Sequence, residues 1–373
     1  VEILKTLALL CTGVVFVGFI LLIVVLLWIS PGKPEPFVDI GGNPIPESIS
    51  EKVFVQVGGV QQGMFIRSKN IRNPVLLYLH GGPAFPNYFL IDKHKPGLED
   101  YFTVCYWEQR GGGLSYSPEM DPQSISFDQL ISDAVEVTQY LRERFGKEKV
   151  YLIAHSGGTP IGLHTAAQNP HLYHAYIAMA QITDQAASEK IAYKYMLKIF
   201  QEKNDQKSIN QLMQYPLRDN DSLILNFYTS PLRDRMMHEL GVGTMREMNS
   251  VFRDVFLPVW TCRAYTLPEK IKVWRSKFFF LPKTNLNREV LSRNFASEVP
   301  RLKIPIYFFS GKFDFTVNAE LSKAYFRKLE APVKGFYTFQ YSAHSPLFEE
   351  NEKVRQIIEQ DVLTGKINLE DME

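Results

Sequence analysis

A chain of 373 residues that is 45% hydrophobic and 22% charged has the make-up of a globular enzyme, which excludes disordered, fibrous and collagenous classes. Its formal net charge of +1 offers no basic field, so no nucleic-acid partner is expected. Cys11, Cys105 and Cys262 lack metal-site spacing and are too few for a disulfide framework.

From Thr6 to Ile29 no residue is charged and nearly all are apolar. Twenty-four helical residues span about 36 Å, enough to cross a hydrocarbon core of about 30 Å. The apolar core of a cleaved signal peptide is only ~7–15 residues long and ends at a small-residue cleavage site. Trp28, followed by Pro31-Gly32-Lys33-Pro34, has the character of an interfacial anchor and a helix stop. Residues 1–30 are therefore expected to form a single-pass anchor that meets the lipid bilayer through residues 6–29. Lys5 and the amino terminus outweigh Glu2, whereas Lys33 and Glu35 cancel. The positive-inside bias places the rest of the chain on the extracytoplasmic side.

Residues 31–50 carry five prolines and three glycines and read as an extended connector. Val53–Val57 and Met64–Arg67 are short strand signals that begin an antiparallel edge. Val75–Leu79 and Phe102–Trp107 are continuous apolar runs, as expected of strands covered on both faces. Phe127, Leu130, Ile131, Ala134, Val135 and Leu141 follow helical spacing over 126–145, with Ser126 and Gln129 as a capping box and Gly146 as the stop. Strands follow at Val150–Ile153 and Ala175–Met179. After a helical, aromatic-rich stretch the pattern resumes with a strand at Ile304–Phe309, a helix near Ala319–Leu329, a strand at Lys334–Phe339 and a last helix after Pro346. Alternating strands and helices predict a mostly parallel sheet with right-handed crossovers. The expected division is a core of residues 51–184 and 299–373, interrupted by a helical cap at 185–298.

Ala154-His155-Ser156-Gly157-Gly158 lies between a buried strand and a helix, the setting of a nucleophile elbow. A serine hydroxyl needs a base to take its proton and a third group to orient that base. Asp314 follows the strand that ends at Phe309, and His344 follows the one that ends at Phe339. Both thus sit at carboxyl ends of strands, where open α/β sheets build their sites. Ser156, Asp314 and His344 are the expected catalytic triad, in the chain order Ser…Asp…His. His80-Gly81-Gly82-Pro83 follows another strand, so the N–H groups of Gly82 and Gly157 are the expected oxyanion-hole donors. Asp184 is an alternative acid, and His155, next to the nucleophile, is read as pocket wall. His164, His171 and His174 have no acidic partner that would complete a metal set, so they are read as surface residues; neither a metal nor a cofactor is expected.

With Glu108-Gln109-Arg110-Gly111-Gly112-Gly113-Leu114-Ser115, these motifs resemble the proline iminopeptidases, a family of α/β-hydrolase fold, over roughly residues 50–360. The resemblance implies an α/β-hydrolase core with a cap, amide cleavage through an acyl-enzyme, and cap carboxylates that hold a free amine. Glu189, Glu202, Glu239, Glu247 and Asp254 are the acids available in that stretch. Gly157 stands where the family carries tryptophan, and its lack of a side chain is expected to open the wall beside the acyl carbon. The expected activity is hydrolysis of an amide or ester in a small peptide or acyl substrate, proline iminopeptidase-like. Lipophilic acyl esters or acyl amides are the alternative substrates, and an inactive binding module is the alternative from another class.

Overall fold

The computed structural model describes residues 2–217 and 220–371. It contains one eight-stranded sheet: β1 (Ile49–Val57), β2 (Val60–Ser68), β3 (Val75–Leu79), β4 (Thr103–Trp107), β5 (Val150–His155), β6 (Tyr173–Met179), β7 (Ile306–Gly311) and β8 (Lys334–Phe339). The spatial order is β1-β2-β4-β3-β5-β6-β7-β8. Only β2 runs against its neighbours, as the β1–β2 hairpin requires. Gly58 and Gly59, at φ +54° and +76°, make its two-residue turn, whose left-handed backbone matches the twist of the strands.

The central strands are apolar throughout because both faces are covered. Leu77, Cys105, Leu152 and Ala178 contribute to one core, while Leu76, Val104, Ile153 and Ile177 contribute to the other. Neighbouring residues on a strand point to opposite faces, so a strand buried on both sides must be apolar at every position. Fully burying a side chain of leucine or phenylalanine size contributes about 1.5–3 kcal/mol.

Helix Phe127–Phe145 begins as expected, with Ser126 Oγ accepting from Gln129 N at 3.2 Å, and Gly146 ends it at φ +60°. The capping box is only half formed. The Gln129 amide turns instead to Asp133 Oδ1 at 2.8 Å, because that buried carboxylate demands donors. Between β6 and β7 the described residues form helices and turns, and Ala192, Met196, Phe200, Leu212, Phe227 and Met236 belong to a small core of their own.

At the amino end a helix runs from Glu2 to Trp28, long and apolar enough to cross a bilayer by length and composition. The following segment is not a free tether. The N–H groups of Gly32 and Lys33 donate to Arg263 O at 3.1 and 3.3 Å.

Candidate active site

At the end of β5 the chain turns sharply into helix Thr159–Gln168, and Ser156 sits on that turn at φ +53°. A non-glycine residue there is strained, and it holds the hydroxyl above the sheet edge. The flanking glycines are required by contact. A Cβ on Gly158 would lie 2.5 Å from His80 O. One on Gly162 would lie 2.8 Å from Ala154 Cβ, so Ala154 is tolerated before the nucleophile because Gly162 faces it without a side chain.

Asp314 and His344 come together as expected: His344 Nδ1 donates to Asp314 Oδ2 at 2.8 Å, with both side chains buried. The other carboxylate oxygen, Oδ1, accepts from Val317 N at 2.8 Å, which fixes the carboxylate plane. Ser156 and His344 face one cavity of about 1520 Å³, together with Gly82 and Gly157. Asp184 is not part of the group. It caps helix Gln185–Glu202, accepting from Ala187 N at 2.9 Å.

His155 does more than line the wall. Its Nε2 donates to the backbone carbonyl of His344 at 2.8 Å, tying the nucleophile strand to the histidine turn. Burial, with the His344 ring beside it, pushes its pKa down to about 3, so the imidazole stays neutral and the bond is kept. The same turn is held by Glu349, which accepts from Ala343 N at 3.0 Å, and by Glu350, which accepts from Tyr341 N at 3.0 Å. The sequence placed His155 beside the nucleophile but not against the His344 turn, 189 residues away, and it gave Glu349 and Glu350 no part in that turn.

The His80–Pro83 loop lies over the nucleophile: a Cβ on Gly81 would sit 2.8 Å from Ser156 Cβ. His80 Nε2 accepts from Gln109 N at 3.1 Å, so its proton is on Nδ1 and donates to Gly81 O at 2.9 Å. Burial lowers the His80 pKa to about 4, which keeps that neutral tautomer. Gln109 completes the clamp, donating to His80 O at 2.7 Å and accepting from Ala84 N at 3.2 Å. Around it, Arg110 makes a buried two-pronged pair with Asp133 at 2.7 and 2.8 Å, and Ser115 Oγ accepts from Gly63 N at 2.8 Å. The Glu108–Ser115 stretch therefore sets the loop that carries Gly82, one of the two candidate oxyanion donors. Burial raises the Glu108 carboxyl to about 7, offset in part by the Leu114 N–H and the Tyr265 hydroxyl that it accepts.

Gly157 does not open the wall. A Cβ there would lie 2.8 Å from Pro83 N and 3.1 Å from Gly82 N, so the oxyanion loop already occupies the space expected to be free. Gly157→Trp should therefore push the loop off its position. Loss of one oxyanion donor typically costs ~10²–10³ in kcat, and kcat/KM should fall to that extent on short and long acyl esters alike. Parallel kinetics on the two ester lengths, with circular dichroism as a folding control, checks this.

Among the helices between β6 and β7, Glu189 is fully buried and paired with Arg233, whose Nε donates to it at 2.7 Å. That carboxylate is already neutralised. Of the other acids expected to meet an amine, only Glu239 lines the cavity, where Asp234 joins it. Glu202, Glu247 and Asp254 do not line it, and Asp254 pairs with Lys93 at 3.3 Å. His164, expected at the surface, is buried, with Nε2 3.0 Å from Glu298.

The sequence matches the alpha/beta hydrolase fold family over residues 74–351. The chain belongs to that family. This α/β hydrolase is also 33% identical over 312 residues to "Probable aminopeptidase YbaC" of Bacillus subtilis, covering 82% of this chain and 95% of that one. Among solved structures, it resembles a proline iminopeptidase of Mycobacterium smegmatis, with a TM-score of 0.59 at 14% identity over 84% of this chain and 98% of that one. It also resembles a proline iminopeptidase-related protein of Thermus thermophilus, with a TM-score of 0.52 at 17% identity over 83% and 98% of the two chains. At such identities the likeness to solved structures is one of fold. With the Bacillus subtilis relative, it makes the chain an α/β hydrolase that resembles the proline iminopeptidases.

Proposed function

We propose that this α/β hydrolase is a membrane-anchored, aminopeptidase-like serine hydrolase that cleaves an amide or ester bond through an acyl-enzyme on Ser156. The reading rests on the 2.8 Å His344–Asp314 bond in the cavity that Ser156 faces. In acylation, His344 Nε2 takes the Ser156 proton while Oγ attacks the substrate carbonyl carbon. The carbonyl electron pair moves onto oxygen, which the N–H groups of Gly82 and Gly157 stabilise. Collapse expels the amine or alcohol, which takes the proton back from His344. Water, deprotonated by His344, then attacks the ester and regenerates Ser156. Asp314 holds the Nδ1 proton throughout, and the helical segment 185–298 serves as the cap over the site.

For the substrate, the leading reading is an amide at a free N-terminal residue. The Bacillus subtilis relative supports it, and Glu239 on the cavity wall would receive the ammonium group, since the neighbouring Asp234 is already paired with Arg233 at 2.9 Å. A second reading, lipophilic acyl esters or amides, is favoured by the size of the cavity and by Phe85, Phe252, Phe256 and Trp274 on its wall. The loss of Glu189 to Arg233 favours it too. Turnover of proline amide, alanine amide and medium-chain esters by one preparation separates the two. Esters alone turned over would select the second, and no turnover of any would sink both.

For the anchor, the exposed apolar surface of Glu2–Trp28 is the support, since none of its described residues is buried. The full-length chain is expected to stay with membranes through a carbonate wash, and release into the wash would refute anchoring.

A further inference from the structure

Two helical runs, residues 251–261 and 267–280, are joined by a short turn that receives the end of the apolar helix. Lys270, fully buried, donates from Nζ to Ile29 O at 3.0 Å, Ser30 Oγ at 2.8 Å and Trp260 O at 2.6 Å. The guanidinium of Arg263 stacks 5.7 Å from the Trp28 ring. A buried ammonium that satisfies three acceptors across this junction makes it a fixed joint.

Both runs carry bare apolar side chains close to that joint. Phe252, Phe278 and Phe279 are 60%, 57% and 68% exposed, and Val251, Leu257 and Ile271 are exposed as well. At 1.5 Å per residue, all six lie within about 14 Å of the joint along their helices. Phe252, Phe256, Trp274 and Phe278 are joined ring to ring at 5.1, 5.2 and 5.6 Å, forming one surface. Besides the buried Lys270, residues 251–283 hold six basic side chains that reach the surface against two acidic ones, whereas the whole chain is +1. Aromatic and aliphatic side chains interleaved with lysine and arginine are the composition of a surface that lies in an anionic lipid interface.

The cavity opens at this surface. Val251, Phe252 and Phe278 both line it and are exposed, so they form one lip of its mouth. The exposed lining residues Asn226, Asp234, Arg235 and Glu239, from another stretch of the chain, form a polar lip. We infer that the 251–283 face docks on the same bilayer that the apolar helix crosses, in contact with anionic headgroups, so that the apolar lip of the active-site mouth meets the lipid. The inference rests on the anchored reading above and adds a second membrane contact to it. The occupant is a bilayer rather than a second copy of the chain, because the surface is continuous with the anchored end of a membrane-length helix.

The test uses the full chain in phosphatidylcholine vesicles, with and without phosphatidylglycerol. In a Cys11→Ser background, Phe279→Cys is labelled with an environment-sensitive fluorophore; Cys105 and Cys262 are buried. A blue-shifted emission, quenched by lipids bearing a shallow nitroxide and strengthened by phosphatidylglycerol, is expected. A label that remains water-exposed overturns the docking. So does one that is shielded but not quenched by lipid, which would mean a second copy or another protein covers the face. As a functional arm, Ile271→Glu with Phe279→Glu, neither lining the cavity, should leave turnover of a water-soluble acetate ester unchanged. It should lower turnover of a bilayer-dissolved long-chain ester by about tenfold or more. Equal rates on the bilayer substrate would overturn the proposal. Should the double variant not fold, the single-site label decides. Loss of acetate-ester turnover in the parent would indict the catalytic reading, and release by carbonate would indict the anchor. Failure of the label alone touches only the docking.

Discussion

Ser156→Ala is expected to abolish covalent labelling by a fluorophosphonate probe and to lower kcat by about a millionfold, the scale seen when a triad that acts as a unit loses its nucleophile. The Ser156 hydroxyl stands on a left-handed turn at φ +53°, beneath a loop whose Gly81 leaves no room for a Cβ. Alanine fits the same backbone without a new contact, so the fold should survive, and an unchanged melting curve separates chemistry from folding. Retained labelling at parental stoichiometry would move the nucleophile elsewhere and withdraw the acyl-enzyme.

Asp314→Asn carries the second-largest expected effect, a loss of about 10⁴ in kcat. Asparagine preserves the shape, and its Oδ1 can still accept from Val317 N, the 2.8 Å bond that orients the carboxylate. Its Nδ2, however, would meet the Nδ1–H of His344 donor to donor. The imidazole would escape by shifting its proton to Nε2, and that nitrogen could then no longer take the proton of Ser156. Asp184→Asn is the matched control. Asparagine caps a helix about as well as aspartate, so helix Gln185–Glu202 and the activity should both persist. Damage by Asp184→Asn with Asp314→Asn spared would reverse the assignment of the acid, and kinetics of the two variants side by side decides it.

Much of the candidate site was legible in the sequence, and for local reasons. Gly157 and Gly158 after Ser156 announce a turn too tight for side chains, and β5 before it is apolar at nearly every position. Asp314 and His344 are candidates because each directly follows a strand, and strand ends are readable from sequence. The stretch Glu108–Ser115 was recognisable as a motif, but its purpose was not. Only the fold shows Gln109 reaching back to His80 and Ala84 to hold the oxyanion loop.

What went unread involves partners far apart in the chain. His155 and the His344 carbonyl, 189 residues apart, meet because β5 and the turn after β8 converge above the sheet. Gly157 was read as open space, since a sequence shows which atoms are missing but not which neighbours fill the gap. Glu189 was one acid among several until Arg233 was seen to neutralise it, and the Lys270 joint left no trace in periodicity. The sequence by itself determined the strand set, the elbow, the candidate triad and a membrane-length helix. Each of these follows from burial period or turn chemistry within a few residues. Which charges pair, what fills the wall beside the nucleophile and where the cavity opens were decided by tertiary structure alone. Long polar side chains and loop backbones take their partners from whatever the packed sheet brings within about 3 Å, and that choice is written in no local window of the chain.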